Sequence, residues 1–215
     1  QAHAKTHTWY PSGPRIVDYW RPGIASEPGG CIWMLWNRFP DRKAFYLTET
    51  AALETSIPYG TPVYESAKAL TVRRFFPDEA RLDDHLTAIV AHGGANQYFV
   101  LPDLRQKIDA AVAVFRAKQG GTRGSYETDA DREARVRAEF RECRARLQSV
   151  LGHPVEGLCW PGGGLDETVL GWAREEGFSY FTMPNAWKAD PRLSHEPGMV
   201  PRLGSMTKYV WRGRD

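Results

Sequence analysis

Two histidines lie close together at the start of the sequence, in the run HAKTH that begins at His3 and ends at His7. Imidazole nitrogens are common ligands of divalent cations, and two rings this close can bind one ion where the backbone turns both toward it. A helix would also present both rings on one face, but Pro11 and Gly13 follow too soon for a long helix. The alternative is two surface or partly packed histidines, because short motifs of this kind recur by chance.

A glycine-rich turn follows a strand pattern in the last third of the chain. Trp160 is followed by Pro161 and by three glycines beginning at Gly162, and Asp166 then precedes a helical pattern. A turn of this kind exposes backbone N–H groups, which can stabilise an oxyanion without any side chain. The alternative is an ordinary strand-to-helix turn. The two motifs together, in this order, are less common than either alone.

The elements that must position these motifs follow from apolar periodicity and from glycine and proline signals. Helices are predicted over 78–91, 104–117, 128–151 and 166–176, and strands over 98–101, 155–160 and 178–183. Residues 1–8 read as the end of a strand that runs into a loop, residues 21–30 as a turn-rich connection, and the three glycines within 120–124 as a loop. Helix and strand alternate in the last part of the chain, which predicts a parallel α/β architecture with functional groups at the carboxyl ends of its strands.

Composition excludes several classes of protein. The chain has 215 residues, which suits a single domain with a substantial core. Lys and Arg number 28 against 26 Asp and Glu, and this near balance argues against a duplex nucleic-acid binder. The arginines between Arg132 and Arg146 alternate with acidic residues and indicate a solvated helix face. No apolar run approaches the roughly 20 residues of a membrane span.

The motifs resemble those of the polysaccharide deacetylases of the NodB-homology type, a carbohydrate esterase family. The run from His3 to Thr8 is similar to the family's histidine motif. The run from Phe140 to Met183 is similar to the later part of the same domain, with a turn after its strand that is nearest the Tyr-Pro-x-Gly variant. Residues 20–126 do not match closely. We therefore expect one catalytic domain over residues 1–215, incomplete at its amino end, with a family-specific insertion at about residues 20–75.

The resemblance implies a distorted (β/α) barrel, usually seven-stranded, whose first strand is missing here or lies upstream. It also implies one divalent metal ion held by one Asp and two His, and the two His match His3 and His7. Zinc is expected, with cobalt, nickel or manganese as alternatives. In the family, activated water attacks an N-acetyl group of a glycan, and backbone N–H groups of the later turn, here Gly162 and Gly163, stabilise the oxyanion. Family analogy favours an extracytoplasmic location.

Two parts of the family pattern are not met directly. The family's Asp pair belongs on the first strand, and no such pair precedes His3, so we expect the third metal ligand and the catalytic base upstream of Gln1. Asp83 and Asp84 form the only adjacent Asp pair, but they lie in a helical pattern with no Gly after them. The catalytic acid of the family is a His near the end of the domain, and His195 resembles that motif, although it lies in a proline-flanked loop.

Aromatic residues near both motifs are candidates for stacking on sugar rings. The predicted substrate-binding residues are Trp9, Trp160, Pro161 and Trp187. Core packing is the alternative for each tryptophan.

Three functions therefore remain open. The first is an active deacetylase that takes an N-acetylated glycan as its substrate. The second is a non-catalytic glycan-binding relative that keeps the fold and binds sugar through aromatic residues. The third is an unrelated α/β domain in which both motifs are coincidental. The sequence leaves the oligomeric state open.

Overall fold

The computed structural model describes residues 9–24, 57–160, 164–182 and 197–200. These residues form two compact units, the first extending to residue 132 and the second beginning at residue 133. Both units combine helices with small sheets, so the chain is a mixed α/β protein, as the sequence predicts. Within the described ranges the strands form three small sheets, and none of these closes into a barrel.

The first sheet pairs β1 (Trp9–Tyr19) with β2 (Pro62–Lys68) in antiparallel fashion. The sequence predicts a loop after residue 8, because Pro11, Gly13 and Pro14 interrupt the pattern, and this prediction is wrong. Each strand of a two-stranded sheet has one unpaired edge, and the register of β1 shifts after Pro11. The proline nitrogens are therefore not needed as hydrogen-bond donors, and the strand continues.

A second antiparallel pair in the first unit joins β3 (Phe75–Pro77) to β4 (Gly124–Tyr126). The sequence predicts a loop through all the glycines of this region, but Gly124 begins a strand. Gly124 has a φ of 151°, and any side chain there would collide with the ring of Phe75. Glycine is therefore required for the close approach of the two strands and does not mark the loop alone.

Two predicted helices of the first unit are confirmed as α1 (Ala80–His92) and α2 (Leu104–Lys118). Between them Ala95–Val100 forms a 3-10 helix, so the strand predicted over 98–101 is wrong. No strand lies beside this segment among the described residues, and the ring of Tyr98 packs against Gly93, where a side chain would not fit. One cluster of the buried core of the unit comprises Tyr19, Leu82, Leu86, Val90, Tyr98, Ile108 and Val112.

The second unit contains the predicted helix–strand alternation. It consists of α3 (Asp129–Leu151), β5 (Gly157–Cys159), α4 (Glu167–Glu175), β6 (Tyr180–Thr182) and β7 (Met199–Val200). The first turn of α3 lies before residue 133 and so belongs to the first unit. The three strands form one sheet in the order β5-β6-β7, and both pairings are parallel. The β5-α4-β6 segment is therefore a βαβ unit, as the sequence predicts.

Two arginines of α3, Arg137 and Arg144, do not belong to the solvated face that the sequence predicts, whereas Arg141 and Arg146 are exposed. Arg137 is only 20% exposed and pairs with Glu175 and Glu176. Arg144 donates to the carbonyl oxygens of Val155 and Glu176, at 3.0 Å and 3.1 Å. These contacts fasten α3 to the end of α4 and to the chain entering β5, which a count of charges along the helix does not reveal. Neither α3 nor any other described helix is long and apolar enough to cross a membrane.

Two buried tyrosines should make folding stability depend on pH in alkaline solution. Tyr19 and Tyr64 are 3% and 7% exposed, and their hydroxyls donate to Asp109 and Glu79 at 2.7 Å and 2.8 Å. Burial, reinforced by the neighbouring carboxylate, raises the pKa of each phenol. The folded chain keeps both phenols neutral where the unfolded chain ionises them. The free energy of unfolding therefore keeps this contribution below about pH 10. Above that pH it falls by up to about 1.4 kcal/mol per pH unit for each tyrosine.

Urea unfolding measured between about pH 9 and pH 11 checks this prediction. Tyr19→Phe and Tyr64→Phe should each flatten the decline, because phenylalanine has no proton to lose. Tyr180→Phe is the control, since Tyr180 is 55% exposed. An alkaline decline that is unchanged in the Tyr19→Phe/Tyr64→Phe double variant would contradict the assignment.

Candidate functional site

Two of the predicted site residues, Trp9 and Trp160, lie in the described part of the chain. The others lie outside the described residues, and their roles stay predictions: His3, His7, Pro161, Gly162, Gly163, Trp187 and His195. Trp9 belongs to the first unit and Trp160 to the second. The structure therefore gives the surroundings of two separate candidate regions.

The first candidate region is the carboxyl edge of the parallel sheet in the second unit. Trp160 comes directly after β5, and the register pairs Cys159 with Thr182 at the end of β6. Two neighbouring parallel strands therefore end side by side, and in α/β folds this edge is the usual location of functional groups. Asp166 accepts a hydrogen bond from the N–H of Val169 at 2.8 Å and so fixes the start of α4 shortly after the glycine run.

Trp160 is a core residue of the second unit. Its side chain is 1% exposed, with its ring stacked on Phe181 at a centroid distance of 5.7 Å and edge-to-face with Phe140 at 6.1 Å. Stacking on a sugar needs an accessible ring face, which this ring lacks in the structure. The burial favours core packing, one of the two alternatives for this residue, and gives the chain entering the turn a rigid support.

Two buried polar atoms lie at the same edge without a hydrogen-bond partner in the described part of the chain. They are the indole Nε1 of Trp160 and the Oγ1 of Thr182. Buried donors and acceptors in proteins are nearly always paired, so an unpaired couple at one strand edge is notable. The segments that follow both residues along the chain, 161–163 and 183–190, lie outside the described residues. Polar groups are thus concentrated where the predicted turn begins.

Within the described ranges no group of three or more His, Cys, Asp and Glu side chains is placed to hold a metal ion. Asp83 and Asp84 lie on α1, in keeping with their rejection as the family's Asp pair. His92 and His153 are exposed, and the Nδ1 of each bonds to a nearby backbone carbonyl, at 2.7 Å and 3.0 Å. Both predicted imidazole ligands, His3 and His7, lie outside the described ranges.

The second candidate region is a cavity of about 200 Å³ in the first unit. Its walls are mainly aromatic rings and prolines, with a few polar side chains among them. The lining residues are Trp9, Pro11, Thr61, Pro62, Tyr64, Ser66, Arg74, Phe75, Phe76, Pro77 and Asp83. Trp9 is partly exposed and lines this cavity, so it is available to a ligand in a way that Trp160 is not.

A buried carboxylate supports the wall of this cavity. The side chain of Glu79 is fully buried, and its oxygens accept hydrogen bonds from the Tyr64 hydroxyl at 2.8 Å and from Arg116 at 2.6 Å and 2.9 Å. Gln119 donates a longer bond at 3.3 Å. Arg116 also donates to the carbonyl oxygen of Pro14 at 3.1 Å. The network therefore ties Tyr64, a cavity-lining residue, to α2 and to β1.

The sequence did not single out Arg74 or Glu79. Glu79 precedes the first helical residue, where an acidic side chain is ordinarily an exposed helix-start signal. Arg74 lies next to Phe75 and Phe76, and a cation beside two aromatics was the available signal. That signal is weak on its own, because most such pairs arise from surface packing.

Comparison of the chain with protein-family models, curated proteins and solved structures finds no match.

Proposed function

We propose that the chain is a metal-dependent hydrolase that removes N-acetyl groups from a polysaccharide or other glycan. The observation that carries the proposal is the parallel β5-α4-β6 unit, in which Trp160 lies at the carboxyl edge of the sheet and directly precedes the glycine run in the sequence. A βαβ segment is also the repeating unit of a (β/α) barrel, and we propose the distorted, seven-stranded form. The order of the two motifs along the chain supports the same assignment.

Three parts of the chemistry have proposed residues. His3 and His7 would hold a divalent ion, and two imidazoles suit zinc well, with a carboxylate as the third ligand that the family pattern expects. Such an ion, when bound, polarises the amide carbonyl and lowers the pKa of water. The backbone N–H groups of Gly162 and Gly163 would donate to the developing oxyanion. His195 would protonate the departing amine, without which the C–N bond does not break readily.

A glycan-binding protein without catalytic activity is the second candidate function. The cavity of the first unit favours it, because Trp9 lines a pocket of aromatic rings and polar side chains that suits a sugar. This function needs neither the histidine pair nor the glycine run.

Acetate release and metal content distinguish the two functions. The measurement uses the natural gene product that contains this chain, with N-acetylglucosamine oligosaccharides as the substrate. A deacetylase should contain about one bound ion per chain and release acetate, and a chelator should stop the release until metal is restored. His3→Ala and His7→Ala should lose both the ion and the activity.

His153→Ala is the matched control, because His153 is exposed and its one hydrogen bond to a described residue is to the neighbouring carbonyl of Pro154. It should keep both the metal and the activity. Oligosaccharide binding that survives chelation, without acetate release, would support the binding function instead. If the chain neither binds the oligosaccharides nor releases acetate, both proposals are overturned.

A further inference from the structure

Arg74 lies on the wall of the aromatic cavity with its guanidinium in contact with two rings. Its Cζ lies 4.8 Å from the ring centroid of Tyr10 and 4.8 Å from that of Phe76. Contacts with two rings hold a planar cation in one orientation. The N–H groups lie in the plane of the guanidinium, so it can donate hydrogen bonds only within that plane.

The charge of Arg74 is not neutralised by a carboxylate among the described residues. Its neighbour Arg73 pairs with Asp129 at 3.5 Å, whereas the guanidinium of Arg74 forms no ion pair in the described part of the chain. Glu127 bonds to the backbone N–H of Arg74, at 3.1 Å, rather than to its side chain. The buried Nε of Arg74 also has no hydrogen-bond partner there. A cation that is held in a cavity wall, with no ion-pair partner in the described ranges, is a feature that an anionic ligand can use.

The remaining walls limit what that ligand can be. A volume of about 200 Å³ is below the roughly 300 Å³ at which sites for drug-sized molecules begin, so it suits a single ring. Trp9 presents aromatic surface to which the C–H face of a sugar can pack. Thr61, Ser66 and Asp83 line the same cavity and offer oxygen atoms to sugar hydroxyls.

We propose that this cavity binds a sugar residue that carries one carboxylate, of the uronate type, with its carboxylate on the guanidinium of Arg74. One guanidinium matches one carboxylate in charge and in planar geometry. A phosphate carries up to two negative charges, so beside Asp83 in the same wall it would leave more uncompensated negative charge than a carboxylate does. The inference rests on the proposal that a glycan is the natural ligand, but it does not require that the chain hydrolyses it.

Calorimetric titration of the full chain with methyl β-D-glucuronide tests the inference. Methyl β-D-glucoside is the matched ligand, because it differs only in having a hydroxymethyl group in place of the carboxylate. The glucuronide should bind at least about tenfold more tightly than the glucoside. Arg74→Gln should remove that preference, and Arg74→Lys should keep only part of it, because lysine has the charge without the planar donors.

Arg81→Gln is the control variant, because it removes the same charge as Arg74→Gln. Arg81 is exposed on α1 and does not line the cavity. It should bind the glucuronide like the original chain. Equal binding of glucuronide and glucoside, no binding of either, or an unchanged preference in Arg74→Gln would overturn the inference. Tighter binding of glucose 6-phosphate than of the glucuronide would overturn the choice of a carboxylate. Acetate release, measured separately on the same preparations, reports on the hydrolase proposal alone.

Discussion

Replacing Glu79 with alanine is expected to lower the free energy of unfolding by about 3–5 kcal/mol. The carboxylate is fully buried and is the only described ion-pair partner of Arg116, whose side chain is 18% exposed. Alanine would leave that guanidinium largely buried without a counter-charge, and it would leave the Tyr64 hydroxyl without its acceptor. Losing one partner of a buried pair costs more than the pair contributes net, because the other charge stays desolvated. Urea unfolding followed by circular dichroism measures the change.

Lys107→Ala is the comparison for this prediction. Lys107 pairs with Asp103 at 3.0 Å, but both side chains are about half exposed, so we expect a loss of no more than about 0.5 kcal/mol. A Glu79→Ala loss as small as that of Lys107→Ala would show that water reaches Arg116 in the folded chain. The Tyr64 side of the cavity wall would then lack the rigid support that the hydrogen bonds indicate.

The helices were predictable because each carries a strong local pattern. In α1 the apolar residues Leu82, Leu86 and Val90 recur at helical spacing, and all three are buried in the structure. In α3 the pattern continues beyond what the unit buries: Val136 and Phe140 are fully buried, whereas Val150 is 77% exposed. Periodicity therefore locates a helix well, but it does not tell how much of the apolar stripe finds a partner.

The strands were harder to predict because their partners are distant in sequence. β1 pairs with a strand about fifty residues away, and its prolines are tolerated because one edge of β1 has no strand partner among the described residues. The Ala95–Val100 segment has the aromatic and β-branched residues of a strand, but lacks a strand partner in the described residues. In both places long-range contacts decide the structure, and local composition does not contain them.

The candidate site residues also differ in whether local sequence or long-range contacts decide their positions. Residue types and spacing were enough to place Trp160 at the carboxyl end of a parallel strand, because βαβ patterns are local. They were not enough to reveal that Arg74 has no ion-pair partner among the described residues, since that depends on which carboxylates fold next to it. Glu79 shows the reverse case, in which an ordinary acidic residue acquires three partners from distant positions.

Trp160→Ala distinguishes the two roles that remain open for this residue. Phe140 and Phe181 pack on its ring, which is 1% exposed, so truncation leaves a large cavity in the core of the second unit. We expect the free energy of unfolding to fall by about 3–5 kcal/mol, as for other buried aromatic residues replaced by alanine. If the role of the ring were to stack on sugar, its removal would instead lower glycan affinity with little loss of stability.

Trp9→Ala should show the opposite behaviour, because Trp9 is only partly buried and lines the cavity of the first unit. Its loss should weaken sugar binding more than it weakens the fold. Paired urea unfolding and sugar titrations on the two variants test both assignments. Glycan affinity that falls with Trp160→Ala while stability is kept would support the predicted role of Trp160 in substrate binding. In that case the ring must leave its contacts with Phe140 and Phe181 when ligand binds, because it has no accessible face in the structure.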